Sequence, residues 1–188
     1  MALQNPVIYT TRRYTAPAMT LHWLIAALIM CGFSLGWVMT DIPGFPPIKR
    51  QYYTWHKWIG VTIFALAVLR VLWRVTHPAP PLPSTVAPWQ RRAAYFTHTL
   101  LYLLILAIPL SGYLMSSASG KPVVYLNLVP LPPLIEANKA LAQLFNTVHV
   151  TLNYLLLGLV TLHVLAVLKH QFIDRDGLLS RMLPFLNK

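Results

Sequence analysis

Imidazole suits both metal ligation and proton movement near neutral pH, and this chain has seven histidines, at positions 22, 56, 77, 98, 149, 163 and 170. Three of them stand in one run, HVTLNYLLLGLVTLHVLAVLKH, residues 149–170. On a helix, the fourteen residues from His149 to His163 correspond to about 21 Å of rise with a net rotation of only about 40°. His170 follows seven residues further on, rotated by about 20°. The three rings therefore share one face of any helix formed here. Uncompensated polar groups in apolar surroundings are costly, so such a row is expected to face a protein interior and to have partners there.

The elements that must position these residues are membrane spans. The chain has 188 residues, 56% hydrophobic and 10% charged, with a mean hydropathy of +0.56, a balance that a soluble domain could not keep off its surface. Four windows, 20–39, 55–75, 93–116 and 147–169, meet the requirement of about 20 mainly apolar residues. The sequence predicts an all-α fold: a single membrane domain over 1–188, built as a four-helix bundle with one sizeable outer loop over about 117–146. Arg12 and Arg13 precede the first window as a signal peptide's charged start would. That window is span-length, however, and GWVMTD offers no small-residue cleavage site, so a retained first helix is expected.

The net charge of +11 reads as topology rather than as a nucleic-acid partner. Ten cations fall on the N-terminal side of the four-span arrangement: Arg12, Arg13, Arg70, Arg74, Arg91, Arg92, Lys169, Arg175, Arg181 and Lys188. Five fall on the other: Lys49, Arg50, Lys57, Lys121 and Lys139. The excess of Lys and Arg places both termini in the cytoplasm, in contact with anionic lipid headgroups. The single cysteine, Cys31, excludes an intramolecular disulfide, a c-type haem tether and a cysteine-ligated cluster.

With that topology the histidines fall at two depths. His22 lies early in a span running outward, so it is near the inner face. His56 and His149 lie early in spans running inward, near the outer face, and His163 returns to the inner level. His56 can oppose His149, and His22 can oppose His163. An opposed pair of neutral imidazoles is what a low-spin, six-coordinate haem b requires, and facing helices of a bundle can supply it. Two such haems would make a transmembrane electron path. Zinc would need three or four ligands converging on one point, whereas these pairs are far apart along the axis. His98, near the inner start of the third span, has a depth resembling that of His22 and is a rival for the inner position, although the geometry favours His22. His170, at the inner interface on the haem-facing side, is placed to pass a proton to a reduced quinone; the plainer reading is an interfacial histidine beside Lys169. His77, before Pro78, reads as solvated. Gly32, Gly36, Gly60 and Gly158 would make room for a flat macrocycle or, equally, allow close helix contact.

Between the second and third spans, THPAPPLPSTVAPWQRR is a stiff, extended connector, because proline fixes φ and removes donors. In the outer loop, SGKPVVYLNLVPLPPL is broken by Gly and Pro. EANKALAQLFN is expected to form a short helix lying in the interface. Tyr52, Tyr53, Trp55 and Trp58, with Trp73 and Trp89 at the opposite level, mark the membrane interfaces.

LHWL opening the first span, WHKWIG opening the second, HTLLYLLILAIPLSGYLM in the third and VHVTLNYLLLGLVTLHVLAVLKHQFIDRDGLLSRM at the end resemble the bacterial cytochrome b561 family over all four spans and in order. The resemblance implies a four-helix bundle holding two haems b, with His22, His56, His149 and His163 as axial ligands to haem iron. It also implies ubiquinone as substrate, with His170 as a quinone-site candidate. One branch of that family is superoxide oxidase, which passes an electron from superoxide to ubiquinone. SASGKPVVYL and RVLWRVTHPAPPLP look closer to another branch, associated with a small periplasmic lipocalin-like, isoprenoid-binding partner.

Lys57, beside His56, and Arg70 and Arg74, at the inner end of the second span, are candidates for neutralising haem propionates; each would equally meet lipid phosphate. No catalytic residue is assigned. The expected function is a dihaem b cytochrome of the bacterial inner membrane, carrying electrons between a periplasmic-side donor or acceptor and the quinone pool. The competing function is a haem-bearing anchor that relays electrons for a separate catalytic partner.

Overall fold

Proline opens three of the four long helices. Its fixed φ suits the first helical turn, and its missing N–H is one that would lack an intrahelical acceptor there anyway. In a computed structural model describing residues 13–83 and 85–183, α1 spans Ala16–Asp41, α2 Pro47–Thr76 and α3 Pro88–Ala118, each with proline in its first two positions. The fourth, α4, spans Lys139–Lys169 and is capped by Asn138, whose side chain accepts a hydrogen bond from the Leu141 amide at 3.1 Å. Arg12 and Lys188 of the charge count lie outside the described residues.

All four helices are long and apolar enough to cross a membrane. At 31 residues, α4 is about 46 Å long, well beyond a hydrocarbon core of about 30 Å, so its ends must project or the helix must tilt. Apolar side chains remain exposed along the outside of the bundle, among them Leu72, Val75, Tyr154 and Leu162, as expected of a surface solvated by lipid. The described residues of the proline-rich connector, 77–83 and 85–87, are non-helical.

The outer loop departs from expectation in two ways. The residues expected to form a separate interfacial helix, including Ala140, Leu141, Leu144 and Phe145, are the first turns of α4. No Gly or Pro stands between Lys139 and the span, so nothing ends a helix once Asn138 has started it. The Gly- and Pro-rich half holds a small antiparallel hairpin, β1 (Val123–Tyr125) paired with β2 (Val129–Leu131), Val123 opposite Leu131. Leu126 and Asn127 both take positive φ, 52° and 59°, the backbone that a tight hairpin turn demands. Trp58 Nε1 donates to the Val124 carbonyl at 2.7 Å, and the Thr62 and Tyr125 hydroxyls are 2.9 Å apart, which docks the hairpin on α2.

The bundle packs α1 on α2, α2 on α3 and α3 on α4. Its core of Ala67, Ile105, Ile108 and Leu156, joined by Ile29 and Phe33, lies midway along the helices. Gly32 and Gly36 face α2: a Cβ at Gly32 would stand 3.6 Å from Ile59 Cγ2, and one at Gly36 would stand 3.7 Å from the His56 ring. This small-xxx-small spacing brings two membrane helices close, so for these two glycines the packing role prevails. At the other end, residues 175–183 fold back under the bundle. There Trp23 Nε1 donates to the Met182 carbonyl at 3.0 Å, and Trp73 Nε1 donates to Thr15 Oγ1 at 2.9 Å.

Candidate functional site

The helix lengths bring the histidines to two levels. His22 lies six residues from the start of α1, and His163 six from the end of the antiparallel α4. His56 and His149 lie nine and ten residues into α2 and α4, at the end that bears the hairpin. The ring centroids of His56 and His149 are 6.2 Å apart, and those of His22 and His163 are 6.4 Å apart. Two metal–imidazole bonds of about 2 Å placed end to end put ring centroids about 6.3 Å apart. Both pairs have the spacing of axial ligands on either side of one iron. Their planes cross at 84° and 75°.

At the hairpin end, the backbone sets which ring nitrogen is free. His56 Nδ1 is 3.0 Å from the Gly32 carbonyl oxygen, and His149 Nδ1 is 3.0 Å from that of Ile108. A carbonyl can only accept, so Nδ1 carries the proton in each ring and Nε2 keeps the lone pair that binds metal. Pro109, the proline inside α3, lacks the N–H that would bond the Ile105 carbonyl one turn earlier; the Ile108 carbonyl itself serves side chains. Ser111 Oγ donates to the same Ile108 carbonyl at 2.7 Å. The His149 ring lies directly against Gly112, where a Cβ would be 3.0 Å from His149 Cε1 and 3.2 Å from Nδ1. Any larger residue would displace the ring.

The Ile108–Gly112 seat and the Gly32 carbonyl were missed in the sequence reading. The available signal was a Pro-x-Ser-Gly run inside a span, residues that weaken a regular helix.

The level away from the hairpin, termed inner by the positive-inside expectation, holds three rings. His98 lies 5.4 Å from His163, centroid to centroid, closer than His22 and short of the spacing for two ligands of one iron. No described residue hydrogen-bonds the ring nitrogens of these three. Arg70 donates to the Ala18 carbonyl at 2.7 Å, one turn before His22, and its guanidinium stands 5.6 Å from the Tyr102 ring centre. Arg74 lies one turn further along α2. Lys57 Nζ is 3.5 Å from the carbonyls of both Lys121 and Pro122, so it bridges α2 to the outer loop beside His56.

The residues fit a planar cofactor at each level. Cβ atoms added at Gly60 or Gly158 would meet nothing within 4 Å. α4 contributes one buried residue, Leu156, and does not pack closely on α1 or α2, the helices that its histidines face. A groove of about 770 Å³ between α1 and α2, lined by Cys31, Trp55 and Trp58 among others, includes none of the histidines.

His170 opens a π-helical turn, His170–Asp174, that ends with Arg175 in the left-handed region. Such turns recur at functional sites. Its Nδ1 is 2.6 Å from Asp176 Oδ2 and 3.2 Å from Asp174 Oδ2, while Lys169 pairs with Asp174. Asp174 and Asp176 are half of the four acidic residues of the chain. Their convergence on one histidine was not foreseen.

A membrane-spanning four-helix bundle with opposed imidazoles at two depths defines a haem-binding membrane electron carrier. The chain belongs to the prokaryotic cytochrome b561 family, whose profile matches residues 13–185. It is 38% identical to cytochrome b561 homolog 2 of Escherichia coli K12, over 93% of each chain. It is 29% identical to a probable superoxide oxidase, CybB, of Yersinia pestis, over 92% of this chain and 97% of that one, and 28% identical to cytochrome b562 of Cereibacter sphaeroides, over 90% and 94%. It is accordingly a multi-pass protein of the bacterial inner membrane that uses b-type haem in electron transfer.

Proposed function

We propose that the chain is a dihaem cytochrome, with His56 and His149 as axial ligands at the outer level and His22 and His163 at the inner one. It would carry electrons between a periplasmic-side donor or acceptor and ubiquinone. The observation that supports this most is the matched ring spacing, 6.2 and 6.4 Å, at two depths on one shared helix. Haem held between the two histidines of a pair would supply a one-electron iron couple. The side chains do the rest. Gly32 and Ile108 carbonyls hold the outer rings, Lys57, Arg70 and Arg74 supply positive charge beside the two levels, and the apolar core between them excludes water.

At the inner end, His170 would serve the quinone. Asp176 accepts from Nδ1, which leaves Nε2 free to exchange a proton with a quinone oxygen, on the face that the positive-inside rule makes cytoplasmic. The likeness to a relative named as a probable superoxide oxidase makes superoxide the sharpest candidate donor; a periplasmic isoprenoid-binding partner is the other.

Pyridine haemochrome assay of the purified protein should give two haems b per chain. His22→Ala should lose one haem and His98→Ala none, and the reverse pattern would assign the inner ligand to His98. Stopped-flow mixing with superoxide should reduce haem, followed by reoxidation on adding ubiquinone; no reduction would exclude superoxide as donor.

A further inference from the structure

Arg181 is 93% buried, at 7% relative exposure, in the short 3-10 turn Leu179–Arg181. One guanidinium nitrogen donates to the Pro81 carbonyl at 2.8 Å. Its Nε, also buried, has no hydrogen-bond partner among the described residues. The chain's four acidic side chains are Asp41, Glu136, Asp174 and Asp176; all are described, and none forms an ion pair with Arg181. A buried guanidinium with one neutral acceptor is a costly arrangement, because a desolvated charge needs an opposite charge or a full set of hydrogen bonds. A buried polar atom without a partner also calls for an explanation, a bound water or anion among them.

We infer that Arg181 holds an oxyanion brought by a bound molecule, its free N–H groups forming a charge-assisted pair with a carboxylate or a phosphate. The segment is fixed at the end of the bundle that bears His22. The Tyr14 amide donates to the Arg181 carbonyl at 3.3 Å, and Trp23 donates to the next carbonyl, Met182, at 3.0 Å. The Trp23 ring lies 5.1 Å from that of His22. Arg181 is thus tied through the adjoining Met182 to Trp23, the residue after His22. The carboxylate source at this place is a propionate of the inner haem, and the phosphate source is a lipid headgroup. Arginine suits either, since its planar fork matches both oxyanions. The haem source rests on the dihaem reading; the oxyanion site itself does not.

The test is Arg181→Gln, with Arg181→Lys as the charge-preserving variant, in the purified full-length protein. Haem per chain, a potentiometric titration of the b-type absorbance and lipid phosphorus per chain are measured together. The inner haem's wave is the one missing in His22→Ala. If a propionate is held, Arg181→Gln lowers the midpoint of that wave alone, because a nearby cation disfavours the ferric state, and Arg181→Lys restores most of it. If a lipid phosphate is held, the waves stay in place and Arg181→Gln lowers bound phosphorus relative to wild type and to Arg181→Lys. Unchanged waves together with unchanged phosphorus would overturn the inference. Fewer than two haems in the wild-type protein would instead count against the dihaem reading, leaving phosphorus as the measure of the oxyanion site. Should the Gln variant not accumulate, Arg181→Lys against wild type gives the same comparison with a smaller shift.

Discussion

His149 Nδ1 lies 3.0 Å from the carbonyl oxygen of Ile108, the residue before the proline inside α3. That carbonyl, which also accepts from Ser111 Oγ at 2.7 Å, holds the His149 ring so that its Nε2 is free.

Gly112→Ala tests this seat. The new methyl would stand 3.0 Å from His149 Cε1, so the ring must move. We expect loss of about half of the bound haem, or a changed midpoint for the outer haem only. Haemochrome assay and redox titration read this out. Retention of both haems with unaltered midpoints would show that the ring has room.

Ring orientation gives a spectroscopic expectation. Imidazole planes crossing at 84° and 75° would leave the π-symmetry d orbitals of an iron held between them nearly degenerate. Low-temperature EPR of the oxidised protein should show strongly anisotropic low-spin signals with a single prominent low-field feature from each haem. Rhombic three-line spectra would mean parallel planes and a different ligand arrangement.

Asp176→Asn should leave haem content and midpoints unchanged while slowing reoxidation of reduced haem by ubiquinone. Asp176 fixes the His170 ring at 2.6 Å, and positioned proton transfer contributes about 10²–10⁴-fold to rates. A drop of at least about tenfold is expected. His170→Gln should match it, and the double variant should add little. An unaffected rate in both variants would remove His170 from quinone chemistry.

Asn138→Ala removes the cap of α4. The expected cost is about 1 kcal/mol, seen as a lower unfolding temperature with both haems still bound. A fall in haem content would mean that the start of α4 affects His149, ten residues on.

The four spans and the two histidine depths were legible in the sequence because hydropathy and helical rise determine them directly. The acceptors for His56 and His149 were not, since Gly32 and Ile108 act through carbonyls that any residue possesses. The start of α4 was misplaced because polarity suggested an interface, whereas the helix continues for want of a breaker. The hairpin's strands are three residues each, too short for alternation to register. Arg181 was counted as one of the inner-side cations, and only the fold-back of residues 175–183 buries it. The choice between His22 and His98 depends on interaxial distances, and those follow from packing that periodicity does not encode.

His149 and His163 stand on one uninterrupted helix. Haems held by these two histidines would keep their spacing when the other helices slide or tilt, since it follows from the pitch of one hydrogen-bonded helix rather than from assembly. Electron tunnelling falls off exponentially with distance, so α4 would act as a gauge bar for transfer between two haems held in this way. One residue inserted between the two histidines would lengthen the gap by about 1.5 Å and swing one ring by about 100°, a disturbance that no adjustment of the partner helices could correct.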